Sequence, residues 1–287
     1  MQSYKLTRDE VGKRSYELPA FPSVIAGILK TLDDVDASTE MLVAHIARDP
    51  VIAARVISLA NAAATQTSRK SPVVSIANAA SLIGTNRIRE MVIVSSIAGF
   101  FDGLASAGMA SRFWQHSVAV GVCSEELAHY TSATASVSAA LVAGLLHDVG
   151  QLWLSRFDAK ILDAAWQTAL TGHIGIEMAE LERFGADHST VGAWLAEEWS
   201  LPVNIVAAIR YHHAPDSALA EPLVPLVHVA EVLSNALELT TREENRVTAI
   251  SSAACQALGL TWNDSVRPLF GRMEARSNHA NAFFQRD

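Results

Sequence analysis

His116, His147, Asp148, His188, His212, His213 and Glu231 are the residues whose types and order can do chemistry in this chain. Each lies on a stretch with helical apolar spacing, and Gly144-Leu145-Leu146-His147-Asp148-Val149-Gly150 reads as a helix end. Imidazole nitrogen and carboxylate oxygen suit iron or manganese and also accept zinc, and no nearby thiolate argues for a structural zinc cluster. If four or five helices converge, the seven side chains reach one or two divalent transition-metal ions. Adjacent helical residues point ~100° apart, so His147 and Asp148 serve one centre most readily at a helix end. There the carboxylate can bridge two ions while the imidazole binds one. Ions ~3.5–4 Å apart polarise a phosphoryl oxygen and make a shared water nucleophilic near neutral pH. Asp148 is the candidate catalytic group, and no residue stands out for binding phosphate.

The other histidines carry less. His45, His129, His173 and His279 read as hydrogen-bonded core or surface residues. His228 lies three positions before Glu231, on the same helical face. Its first reading is structural, its second a hydrogen-bond partner behind the ligands.

The elements that must position these groups are helices, because alternating strand patterns are essentially missing from the apolar spacing. Expected helices are Ser23–Leu32, one capped by Ser38 or Thr39, then Val51–Ala63 after Asp49-Pro50. Ser71-Pro72 opens another that stops at Gly84, a C′ glycine, and Thr85 caps the next, ending near Phe101. Asp102–Gly108 is the hinge candidate, so the chain divides near residue 110 into an N-terminal lobe (1–110) and a ligand-bearing lobe (111–287). The second lobe is expected to hold helices Arg112–Tyr130, Val137–Val149, His188–Trp199, Val203–His213 and Leu223–Leu239. From Thr261 onward the tail is more polar and predicts only a short helix.

Composition narrows the function. The 287 residues are half apolar, with 22 Lys plus Arg against 30 Asp plus Glu and a net charge of -8. That balance lacks the basic surface a nucleic-acid partner requires. Cys123 and Cys255 are too few and too far apart for a disulfide framework, and read as buried small hydrophobes in a reducing compartment. The N-terminal MQSYKLTRDE has no apolar signal region, and the longest apolar runs, Met91–Phe101 and Val137–Leu146, fall short of a membrane span. A cytoplasmic protein with no membrane partner is the expectation.

The order His…His-Asp…His…His-His…acid resembles the HD superfamily of metal-dependent phosphohydrolases, in particular its cyclic-dinucleotide phosphodiesterase branch. On that resemblance His116, His147, Asp148 and Glu231 match the ligands of a first metal. His188, His212 and His213 match the ligands that add a second. Glu231 replaces the usual Asp. Three departures weaken anion recognition. Gln151 stands where that branch usually has a lysine, and Arg112 stands one turn before His116 in place of an acidic ligand. Ala214-Pro215-Asp216-Ser217 follows His213 without a Gly-Tyr-Pro loop.

The N-terminal motifs are more specific. Leu18-Pro19-Ala20-Phe21-Pro22, Ile46-Ala47-Arg48-Asp49-Pro50, Ala53-Ala54-Arg55-Val56-Ile57-Ser58-Leu59-Ala60-Asn61 and Ser75-Ile76-Ala77-Asn78-Ala79-Ala80-Ser81-Leu82-Ile83-Gly84 look like the HDOD domain. The similarity runs from about Leu18 to Pro215. It implies an all-α, two-lobed bacterial signalling module, generally non-catalytic, that acts through protein partners. Asn61 is marked as an amide able to cap backbone groups. The expected function is therefore regulatory signalling through protein–protein contacts, with one or two ions in a degenerate HD site. The alternative is a metal-dependent phosphohydrolase acting on nucleotides or cyclic dinucleotides.

Overall fold

The computed structural model describes residues 5–19, 21–30, 39–47, 50–64, 72–104, 107–131, 135–240 and 249–284. Every regular element among them is a helix, as the periodicity predicts, and no strand occurs among the described residues. Packing separates two units, Ala20–Phe100 and Met1–Pro19 with Phe101–Asp287. Residues before Pro19 therefore group with the ligand-bearing unit, and the changeover falls at Phe101 rather than near residue 110. Ser38, Asp49, Ser71 and the centre of the hinge candidate lie outside the described residues.

The first helix, α1 (Arg8–Ser15), lies ahead of the helices expected from the sequence, in a mostly charged segment. The Thr7 hydroxyl accepts from the Glu10 amide at 3.3 Å, and the Glu10 carboxylate accepts from the Thr7 amide at 2.9 Å. This capping box satisfies orphan donors reciprocally, so a short, mostly charged segment holds a helix.

The unit Ala20–Phe100 contains α2 (Ser23–Lys30), α3 (Thr39–Ile46), α4 (Pro50–Ala64), α5 (Ile76–Ile83) and most of α6 (Thr85–Leu104). Its core uses Ile25, Ile28, Ile46, Val56, Ile88 and Ile97. Ser75 rather than Ser71 caps α5, its side chain accepting from the Asn78 amide. Gly84 ends that helix at φ 88, a conformation that favours glycine. Asn61 behaves like a length of backbone. Its side-chain N–H donates to the Val73 carbonyl at 2.8 Å, and its Oδ1 accepts from the Val73 amide at 2.7 Å. The end of α4 is thereby tied to the chain entering α5.

The second unit contains α7 (Ala107–Tyr130), α8 (Val137–Leu146), α9 (Val149–Phe157), α10 (Ala159–Gly172), α11 (Ile176–Phe184) and α12 (His188–Glu198). It continues with α13 (Val203–Tyr211), a 3-10 turn at Pro215–Ser217, α14 (Leu223–Ala236), α15 (Ser252–Ala257) and α16 (Arg267–Phe284). The expected helix Val137–Val149 ends at Leu146, and a new one starts at Val149. Asp148 sits between them at φ -98, ψ 11, outside the helical region. That break replaces the regular ~100° step and lets two adjacent side chains serve one centre. The joined run Val137–Phe157 is long and apolar enough to cross a membrane by length and composition only, and 89% of its most apolar window is buried inside the protein, as a core segment would be.

Glycines bring the ligand helices to backbone contact. A Cβ on Gly144 would lie 2.7 Å from Gly121 Cα and 2.8 Å from the Val120 carbonyl, so α7 and α8 touch directly. A Cβ on Gly150 would overlap the His188 carbonyl and lie 2.7 Å from the Gly192 amide, so α9 and α12 are as close.

The tail also differs from its reading. α16 is an 18-residue helix whose Leu269, Met273 and Ser277 are buried. Arg272 reaches Glu126 at 2.8 Å, while Arg276 reaches Glu126 at 2.7 Å and Glu125 at 2.5 Å. Two acids of α7 thus make a polar tail helical by holding its arginines. α1 is held within the same unit by Arg8 on Glu197 at 3.0 Å and by Arg14, whose guanidinium lies 5.9 Å from the Trp153 ring centroid.

Candidate metal centre

All seven sequence-selected side chains meet, in two groups. Asp148, His188, His212 and His213 form one and His116, His147 and Glu231 the other, with one ligand atom per residue inside 4.8 Å of the others in its group. Asp148 falls with the second set of the sequence reading rather than with His116 and His147. Its two oxygens nevertheless span both groups: Oδ1 is 3.2 Å from His188 Nε2, and Oδ2 is 3.6 Å from His116 Nε2.

Helix ends do the positioning. His147 and His212 are the C-caps of α8 and α13, rather than residues inside those helices as the sequence reading had it. Each directs Nδ1 at the carbonyl three residues back, Gly144 at 2.8 Å and Ile209 at 2.7 Å. A carbonyl only accepts, so both Nδ1 nitrogens are N–H donors, which in the neutral ring leaves the lone pair on Nε2. His188 opens α12, and Glu231 lies within α14. His228 holds the turn from behind: its Nδ1 donates to the His212 carbonyl at 2.7 Å, and its Nε2 accepts from the Ser251 amide at 3.0 Å. Asp216 accepts from the Ser251 hydroxyl at 2.5 Å.

The centre is deeply buried. His116, His147, Asp148, His188 and His212 are each 0–1% exposed, whereas His213 and Glu231 are partly open. Burial pushes the His147 imidazole down to about 4, helped by His212 and His188 and opposed by Asp148. Burial also pushes His213 well below its usual range, with His212 and His188 adding to it. For Asp148, burial acts upward, but the surrounding His147, His188 and His212 outweigh it and hold the carboxyl well below its ordinary range. His188 goes the other way: burial opposes charge, yet Glu180 and Asp148 keep its proton on to well above the usual pH.

The donor set fits a cation on internal grounds. His212 Nε2 is buried with no hydrogen-bond partner and points at Asp148 Oδ1 from 3.7 Å. His147 Nε2 faces the same oxygen at 3.6 Å. His147 Nε2 also lies 3.2 Å from His116 Nε2; nitrogens and carboxylate oxygens crowded this closely in a buried site repel unless protons or a cation lie among them. These residues would hold one or two divalent ions, with Asp148 shared. The absence of thiolate leaves the choice among borderline metals open.

Sequence reasoning missed Glu180. It is 0% exposed in α11 and accepts from His188 Nδ1 at 2.6 Å and from the His188 amide at 2.8 Å. Its signal was an acid beside Ala179 and one turn before Phe184 on the apolar face of that helix, where an ionised group needs a partner. Among the departures noted earlier, Gln151 is buried on α9, and the Arg112 side chain lies outside the described residues. His129 and His173 are exposed; the side chains of His45 and His279 lie outside the described residues. Cys123 and Cys255 are buried free thiols.

Fold and centre together define an all-helical domain with a buried cluster of imidazoles and carboxylates. The HDOD domain profile matches residues 18–215, and the chain belongs to that family. An HDOD domain protein of unknown function from Geobacter sulfurreducens has the same fold, with a TM-score of 0.75, 25% identity and 97% of each chain covered. A provisionally named signal transduction protein from Marinobacter aquaeolei matches with a TM-score of 0.75 and 21% identity, over 100% of this chain and 63% of that one. A provisionally named phosphohydrolase from Shewanella amazonensis matches with a TM-score of 0.67 and 23% identity, over 95% of each chain. An uncharacterised protein of Treponema pallidum is 21% identical over 236 residues, 82% of this chain and 45% of that one. The chain thus spans under half the length of that relative.

Proposed function

We propose that this chain is a cytoplasmic regulatory HDOD protein that passes a signal through contacts with a protein partner, with one or two divalent ions stabilising its ligand-bearing unit. Family membership supports the regulatory role. The observation that carries the non-catalytic reading is enclosure: five of the seven ligand side chains are 0–1% exposed. Only the His213–Glu231 edge is partly open, with side chains 19% and 12% exposed. An ion fits through such an edge; a dinucleotide needs its phosphate beside the metals and cationic groups around it. Gln151, neutral and buried, supplies no such cation. The acidic composition disfavours a nucleic-acid partner.

One observation favours the second reading, a metal-dependent phosphohydrolase. The Asp148 carboxylate lies between both ligand groups, the placement that a bridged pair of ions requires. The test is metal analysis followed by an assay with manganese or iron against cyclic and linear nucleotides. The regulatory reading expects bound metal, a higher Tm with metal, and no turnover above that of the free ion. Turnover that disappears in His116→Ala would reverse the ranking.

A further inference from the structure

We infer that Glu180 is a positioning residue that aims His188 Nε2 into the centre, making Asp148, His188, His212 and His213 the tighter of the two ligand groups. The inference rests on the metal-binding reading and deepens it. Glu180 comes from a different helix and takes two N–H groups of one residue on a single oxygen, Oε2, at 2.6 and 2.8 Å. Holding both the ring and the backbone of His188 fixes the imidazole plane at the first turn of α12. With Nδ1–H committed to the carboxylate, Nε2 is the nitrogen directed at Asp148 Oδ1, 3.2 Å away, and at His213 Nε2, 3.0 Å away.

The contrast with the other imidazoles gives the ranking. His147 and His212 direct Nδ1 at neutral backbone carbonyls. A carboxylate behind an imidazole raises its basicity toward a metal as well as orienting it, and removing such a partner typically costs 10–100-fold in affinity. Glu180 Oε1 is buried without a hydrogen bond, so capping alone leaves half of this carboxylate unexplained. α11 itself is anchored by Ala179 packed on Ala165 and Ala169 of α10, which gives the carboxylate a stiff support.

The test is titration of the full-length, metal-stripped protein with Co2+ alone, read by its visible absorption and by equilibrium dialysis, for wild type, Glu180→Gln and His116→Ala. Glu180→Gln keeps the shape and an accepting oxygen but removes the charge. We expect it to weaken the first ion bound by about 10–100-fold and to alter its absorption spectrum. His116→Ala should leave the first ion in place and weaken only the second. In the metal-free state, nitrogen NMR of the imidazoles should show the His188 resonances changed in Glu180→Gln while those of His147 are retained. Unchanged first-ion affinity in Glu180→Gln, or a loss confined to the second ion, overturns the assignment of Glu180 alone. A wild type that takes up no Co2+ overturns the metal-binding reading and this inference with it. If Glu180→Gln does not fold, Glu180→Asp replaces it. Its shorter arm cannot reach both N–H groups, and wild-type affinity there overturns the proposal.

Discussion

Two ionic clusters with buried carboxylates share α7, and they are built on opposite plans. Near the C-terminal end, Glu125 and Glu126 meet Arg272 and Arg276 of α16, so the chain supplies its own positive charge. Further toward the N-terminal end, His116 joins a centre where the Asp148 carboxylate is surrounded by imidazoles, of which His188 keeps its proton to well above the usual pH. The first cluster is complete on folding. The second is a set of donors able to hold a cation. The difference teaches that burial of charge does not by itself mark a functional site; a buried carboxylate gathered with several imidazoles is the stronger pointer.

The largest effect should come from disturbing the backbone contact that assembles the second cluster. Gly150→Ala places a methyl group into the His188 carbonyl. It should cost about 3 kcal/mol or more, read as loss of soluble folded protein or a large drop in Tm. A mild phenotype would mean α9 and α12 separate easily and the centre is not held rigidly.

Next in size is the ion itself. At a free ion concentration 100-fold above Kd, binding stabilises the folded state by about 2.7 kcal/mol. His147→Ala with Asp148→Ala should lower metal content and abolish the metal-dependent rise in Tm together. Metal content equal to wild type would remove the centre from consideration.

The self-neutralised cluster should respond to mutation but not to metal. Arg276→Ala strands Glu125 and part of Glu126, and should cost about 2 kcal/mol, discounted because the arginine is 24% exposed. Thermal melts with and without chelator should show the same decrement. A smaller acid-pH effect follows from the same residues. Burial pushes the Glu126 carboxyl up, but Arg276 and Arg272 outweigh it and hold it below its ordinary 4.5. The folded value lies under the unfolded one, so this stabilisation is present above pH 4.5 and is lost as pH falls through the folded value. Arg272→Ala with Arg276→Ala should flatten that acid limb in denaturant titrations; an unchanged slope would break the assignment.

The exposed pair Lys13–Asp9, at 2.6 Å, sets the floor of the comparison. Lys13→Ala should leave Tm unchanged within error, because solvent screens such a pair.

What the sequence made legible follows from locality. Apolar spacing sufficed for most helices, and residue type and order sufficed to pick out the seven side chains that gather in two neighbouring groups. The helix end near His147-Asp148 was legible, but not its place: apolar Val149 extends the spacing past the pair, so the expected helix ran to Val149 instead of Leu146. α16 was hidden because its inward face includes Arg276, whose partners Glu125 and Glu126 are 151 and 150 positions away. Glu180 was hidden for a related reason: an acid beside Glu177 and Glu182 looks solvated until the helix face is known. α1 is marked in the sequence by the Thr7-x-x-Glu10 signature alone, with little apolar spacing beside it.

The donation of Nδ1–H from His147 and His212 to a carbonyl in their own last turn has a kinetic consequence. Tautomer and aim are inherited from a segment of about ten residues, before any distant part of the chain arrives. Capture of an ion therefore needs no ring flip, only the arrival of stiff pieces already pointing inward. Escape is set correspondingly by fraying of a helix terminus, a slower event than side-chain rotation, so exchange of the ion should be sluggish even where equilibrium affinity is modest.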